Sequence, residues 1–255
     1  MRDGRWQSTE SRWGYLWHGC GRGEEGDPPR PSLQREGELK QISVKVLANI
    51  LSVVLYPLFI PVYGMILFCI AFGQYYMPLP TVYWLVTVLG TAFLTCVIPL
   101  TSILIMMWQG RVKDIQIADA KERTMPYLYS IACFGFWAYF LYAVVKVPTN
   151  IVITAVGATV ALGIVAVVNK RWKISAHLTG FGGLTGGVLA FYLAGGMMPP
   201  MWLVGVLLGL ALVLMYARLY LDAHTPMQVV CGWLLGIAMT FVPNMICMGP
   251  SLALP

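Results

Sequence analysis

Ala217-Arg218-Leu219-Tyr220-Leu221-Asp222-Ala223-His224-Thr225-Pro226-Met227-Gln228-Val229-Val230-Cys231-Gly232 lies between two strongly apolar segments, yet holds an arginine, an aspartate and a histidine within seven residues. The flanks, residues 201–216 and 226–246, carry no charge, and each reads as a helix that crosses a bilayer. Ionisable groups gathered where two spans meet mark a functional site by default. Arginine supplies a permanent forked cation, and six residues later histidine supplies an imidazole that serves as base or nucleophile near neutral pH. That pair suits a phosphate.

The composition agrees with the flanks. Of 255 residues 58% are hydrophobic and only 11% charged, and the mean hydropathy is +0.71. The reading is an all-α, polytopic transmembrane helical bundle of about six or seven spans. Six cysteines lie scattered, mostly inside apolar blocks and with no CxxC pair, which excludes a zinc or disulfide framework. The net charge of +6 would suggest nucleic acid if it were concentrated in a tail. Residues 1–40 hold seven basic and seven acidic side chains, so the excess belongs to the membrane part and no nucleic-acid partner is implied.

Residues 1–38, rich in Arg, Glu, Gly and Pro, show no apolar period and are expected to be a disordered N-terminal tail ahead of a transmembrane domain over 39–255. The first apolar block runs from Ile42 to about Phe72 and contains Pro57 and Pro61. Its length implies a tilted, kinked helix or a surface helix leading into a span. Further spans are predicted over 82–108, bent at Pro99, and over 126–145, 151–168, 178–194, 201–216 and 226–246. On the fifth, Gly182/Gly186 and Gly183/Gly187 put small residues four apart, which lets another helix approach closely.

Counting spans assigns sides. Two spans separate the loop Arg111–Arg123 from the loop Lys170–His177, and two more separate that from Arg218–His224. All three loops therefore share one membrane face. Of fourteen charged residues after residue 40, all but Lys45 and Lys146 fall in these loops, together with His177 and His224. The positive-inside rule puts that face on the cytoplasmic side, since it carries eight Lys and Arg against Lys146 alone opposite. The expected location is a multi-pass protein of a bacterial inner membrane.

These three loops resemble the type 2 phosphatidic-acid phosphatase superfamily, which shares its catalytic core with vanadium-dependent haloperoxidases. Its pattern is Lys-x6-Arg-Pro, then Pro-Ser-Gly-His, then Ser-Arg-x5-His-x3-Asp. The third part matches in spacing at Arg218, His224 and position 228, with Ala217 for Ser and Gln228 for Asp. The second stands as Ile174-Ser175-Ala176-His177, and the first as Arg123 followed at a distance by Pro126. Gln116 occupies the place of the lysine, and Lys113 lies one helical turn before it. The resemblance covers roughly residues 110–235.

The chemistry a phosphate demands can be stated independently. Cations must hold the nonbridging oxygens while charge spreads over them. Arg123 and Arg218 offer forked donors, and Lys113 or Lys121 a point charge. One neutral imidazole can attack phosphorus and a second, protonated one can protonate the departing alkoxide.

The resemblance implies that His224 is the nucleophile, His177 the general acid, Arg218 catalytic, and Arg123, Lys113 and Ser175 phosphate-binding. It implies that Gln228 orients His224, and that no metal or other cofactor takes part. The expected function is a membrane-embedded lipid phosphate phosphatase working through a phosphohistidine. Its substrate would be phosphatidate, phosphatidylglycerophosphate or an isoprenyl pyrophosphate. The alternative, with a neutral Gln228, is a non-catalytic relative that binds or moves phospholipids.

Overall fold

The computed structural model describes residues 31–75, 80–113 and 122–247. The chain divides into a short unit, Met1–Gln41, and a large one, Ile42–Pro255. The described residues form eight helices and no strand: α1 Pro31–Val54, α2 Ile60–Tyr75, α3 Thr81–Trp108, α4 Thr124–Val145, α5 Thr149–Val168, α6 Ala176–Ala194, α7 Met201–Tyr220 and α8 Pro226–Cys247. Proline sets most of the starts. Pro80, Pro148 and Pro200 stand immediately before α3, α5 and α7, while Pro31 and Pro226 open α1 and α8. A fixed φ and a missing N–H suit the first turn, where that N–H has no helical partner in any case.

Five helices, α3, α4, α5, α7 and α8, are long and apolar enough to cross a membrane. Their outer faces expose Leu85, Phe93, Phe136, Val160, Leu212 and Leu234, a surface suited to hydrocarbon rather than water. The expected count of six or seven needs α2 and α6 as well. The apolar part of α2, Ile60–Ala71, is shorter than a full span. Helix α6 is about 28 Å long by its rise per residue, but glycine and threonine dilute its apolar character. It is the buried helix of the bundle, contacting α2, α5, α7 and above all α8. A helix walled by protein needs few side chains that dissolve in lipid.

One boundary differs from the sequence reading. The tail expected to be disordered over 1–38 is already helical from Pro31, because Pro31 initiates a run of helix formers, Leu33-Gln34-Arg35-Glu36, that continues into the apolar block. Residues 1–30 lie outside the described residues. The apolar block from Ile42 to Phe72 is two helices, broken over Leu55–Phe59 ahead of and around Pro57.

That break frees backbone carbonyls, which must find partners in a dry setting. The Leu58 carbonyl accepts from the Cys96 thiol at 2.8 Å and the Thr95 hydroxyl at 3.3 Å, both in the π-helical turn Phe93–Val97 that precedes Pro99. The Val54 carbonyl accepts from the Tyr63 hydroxyl at 2.8 Å. The Ser52 carbonyl is taken by His177, across the bundle.

The glycines of α6 divide by face. A Cβ on Gly182 would meet the Trp233 carbonyl, and one on Gly186 the Thr240 hydroxyl and Ile237 carbonyl, all on α8. In return, Gly232 and Gly236 of α8 sit against the Ser175 and Thr179 carbonyls. The expected close approach thus belongs to Gly182/Gly186. Gly183 meets the Thr240 methyl of α8 only at ordinary contact distance, and Gly187 faces Thr154 of α5. Gly182→Ala should lower stability by about 3 kcal/mol or more, because backbone cannot step aside. Gly183→Ala, whose Cβ would lie 3.6 Å from the Thr240 methyl, should cost within about 1 kcal/mol. Thermal unfolding in detergent compares the two.

Candidate active site

Arg123, His177, Arg218 and His224 line one cavity of about 300 Å³. Each arrives by a different local device. Arg123 precedes the first turn of α4, is buried, and donates from Nη1 to Asn169 Oδ1 at 2.8 Å. Arg218 is in the last turn of α7, not in the loop after it as the sequence suggested. Helix α7 then ends in a Schellman turn. The Ala223 amide bonds to the Arg218 carbonyl and the Asp222 amide to the Leu219 carbonyl, with Asp222 at φ 50°. Aspartate tolerates that left-handed conformation better than most residues. The turn folds His224 back towards Arg218; Asp222 itself is exposed.

Arg218 is the most demanding group. It is buried, and its Nε and Nη1 have no hydrogen-bond partner among the described residues. A guanidinium out of water with idle donors is costly unless an anion meets it. The cavity it lines also receives the charge of Arg123. Lys173, half-buried nearby, has its ammonium pKa lowered by burial and then by the charges of Arg123 and Arg218. Three cations therefore act on one small volume.

His224 is held by its Nδ1, which lies 3.1 Å from the Lys173 carbonyl and 3.3 Å from Gln228 Oε1. A carbonyl oxygen can only accept, so Nδ1 carries the proton and Nε2 keeps its lone pair. Gln228 Oε1 also accepts from the Thr225 amide at 3.1 Å. The Gln228 side chain thus makes the return bond of a capping box to the Thr225 amide at the start of α8, with Pro226 in the first helical position. The glutamine expected to orient His224 is equally a helix cap, a role its Thr-x-x-Gln spacing signals in the sequence.

His177 stands in the first turn of α6, buried, edge-on to Tyr56 at 5.4 Å between ring centroids. Its Nε2 is 3.1 Å from the Ser52 carbonyl and therefore donates to it. Protonation of a leaving group from Nε2 requires exchanging this bond for one to the substrate.

The remaining expected residues are placed otherwise. Ser175 is fully buried, and its hydroxyl accepts from the Leu178 amide at 3.5 Å as the cap of α6. It is not among the groups lining the cavity. The helix start it caps still presents the amides of Ala176 and His177, which have no intrahelical partner by geometry and favour an anion. Lys113 is 81% exposed, its Nζ 3.8 Å from Glu122 and its amide bonded to the same carboxylate. The structure does not bring it to the cavity, because Glu122 offers a nearer countercharge. Gln116 and Lys121 lie outside the described residues. Sequence reasoning missed Asn169, Lys173 and Ser52. Asn169 had a polar side chain beside a basic run as its signal; the two carbonyls had none.

His224 lies between α7 and α8. Burial lowers its pKa first, then the Arg218 charge; the bonds to the Lys173 carbonyl and Gln228 oppose, the Lys173 charge adds, and the outcome is about 4. Protonation is thereby postponed to lower pH. At pH 5 a histidine of ordinary pKa is about 97% charged, whereas one at 4 is about 90% neutral. An NMR titration of ring-labelled histidine should place the His224 midpoint near 4, and Arg218→Gln should move it upwards. A midpoint unmoved from 6.5 would contradict the burial and charge described here.

Comparison with curated proteins and with solved structures finds no match to this chain. Residues 174–246 match the model of the PAP2 superfamily, a family of phosphatases. This stretch runs from the α6 cap through α8 and includes His177, Arg218, His224 and Gln228. Over residues 174–246 the chain is thus similar to the PAP2 superfamily.

Proposed function

We propose that the protein is a membrane-embedded phosphatase that removes phosphate from a lipid through a phosphohistidine. The observation that carries the reading is the pairing, in one cavity, of an imidazole with a free Nε2 and a buried arginine with idle donors. In the proposed reaction the His224 Nε2 lone pair attacks phosphorus, the P–O bond to the lipid breaks, and the departing oxygen takes a proton from His177 in its imidazolium form, leaving that ring neutral. Arg218 and Arg123 hold the nonbridging oxygens as charge grows on them. Water then displaces His224 and gives a proton to the neutral His177, which releases inorganic phosphate and restores both imidazoles to their starting forms. The charge asymmetry of the loops assigns this face to the cytoplasm, in a bacterial inner membrane.

One observation favours a second reading. Gln228 brings no negative charge to the imidazolium that forms on His224, as in a relative that binds phospholipid without turnover. Purified protein in detergent, incubated with phosphatidate, phosphatidylglycerophosphate and isoprenyl pyrophosphate, should release phosphate from at least one, and orthovanadate should inhibit. Binding without release from any of them would favour the second reading.

A further inference from the structure

The cavity does not stop at the phosphate-sized polar end. Its lining continues along α6 from His177 on to Tyr192, while α7 contributes Arg218 at one end and Trp202 and Leu203 at the other. At 1.5 Å per residue the α6 path, like the separation of Arg218 from Leu203, measures about 22 Å. On α5 the lining reaches from Val165 to Ile151, about 21 Å by the same rise. The two continuous paths, on α6 and α5, thus agree on the length with the separation of the α7 ends, and all three helices have their polar ends at one face. Beyond the polar end the walls are apolar, and the far end is a layer of buried rings: Phe68 against Phe191 at 5.5 Å, and Phe191 against Tyr192 at 5.5 Å.

We propose that this extension seats the hydrocarbon tail of the substrate, and that the layer of Phe191, Tyr192 and Leu203 sets the tail length accepted. The proposal rests on the phosphatase reading and deepens it. One leaflet offers about 15 Å of hydrocarbon, half of the bilayer core. A tail following the cavity passes beyond that depth, enclosed by helices rather than by its neighbours in the leaflet. Moving a chain from lipid into an apolar protein cavity gains nothing from the hydrophobic effect, since lipid tails are equally apolar. Selection must then come from shape: a short chain leaves unfilled space, and a long one meets the aromatic layer. The ligand is a linear hydrocarbon chain of about 20 Å ending in a phosphate. Acyl and isoprenyl chains both supply that chemistry.

The experiment uses the full-length protein in detergent with two series of monophosphates, n-alkyl and linear isoprenyl, graded in length. Phosphate release should show an optimum in kcat/KM near a chain of about 20 Å in the series that is the natural class. Ala158, on the cavity wall midway along α5, is the place for a plug. Ala158→Phe should lower the ratio of long-chain to short-chain kcat/KM at least tenfold, and Leu203→Ala should shift the optimum to longer chains. If no series shows an optimum, or if the plug lowers all lengths equally and Leu203→Ala leaves the optimum in place, the tail channel is refuted while the phosphatase stands. If no member of either series is hydrolysed, the phosphatase reading has failed instead. Thermal stabilisation by the same compounds then decides the channel: length-dependent shifts that Ala158→Phe removes support it, and shifts independent of length overturn it.

Discussion

Replacing His224 by alanine is expected to lower kcat by about 10⁴-fold or more, the scale on which removal of an enzyme nucleophile is felt. Fold should survive, because the side chain is only half-buried and its bonds are to a carbonyl and to a glutamine that α8 retains as its cap. Rapid quench with phosphate-labelled substrate should trap an acid-labile, base-stable phosphoprotein in the parent chain and none in His224→Ala. Gln228→Glu is the companion variant. It keeps the capping geometry with Thr225 and adds a negative charge beside Nδ1, so the His224 pKa should rise from about 4 and turnover should increase. Full activity in His224→Ala would mean that another group attacks phosphorus.

The second large effect belongs to Arg218. Arg218→Gln should reduce kcat/KM by about 10²- to 10³-fold, the usual consequence of losing a donor to developing charge. Its effect on the resting protein should have the opposite sign. A buried guanidinium without full hydrogen bonding opposes folding, and replacing it by a neutral side chain relieves that cost. Arg218→Met should therefore unfold at a higher temperature than the parent while losing activity. Orthovanadate should stabilise the parent and not this variant. A loss of stability in Arg218→Met would show that the guanidinium is held by bonds of its own.

The site was legible in part, and the particular residues show where the line falls. Arg218 and His224 stood out because charge between apolar blocks is costly enough to need a reason. Counting spans then put His177 and Arg123 on their face before any geometry was known. The family resemblance placed Lys113 and Ser175 with the phosphate ligands. A side chain's reach does not fix its partner: Glu122 holds Lys113, and the α6 amides hold the Ser175 hydroxyl. Gln228 was read only as the neutral substitute for an acid, although Thr225-Pro226-Met227-Gln228 also spells a capping box.

By itself the sequence determined that the chain is a helical membrane protein whose polar residues gather at one face. Long apolar blocks admit no other way of satisfying the backbone in lipid, and the order of the blocks fixes which loops share a side. Only the tertiary structure decided what holds the two histidines and what lies beneath them. The Ser52 and Lys173 carbonyls that fix the imidazole protons belong to backbone, which every residue carries and no sequence distinguishes. The apolar cavity exists because α6 meets α8 closely through Gly182, Gly186, Gly232 and Gly236, while Gly180 and Gly183, with neighbours only at ordinary contact distance, form part of the cavity wall. Which glycines close a gap and which keep one open depends on where the neighbouring helices stand, and that is a property of packing alone.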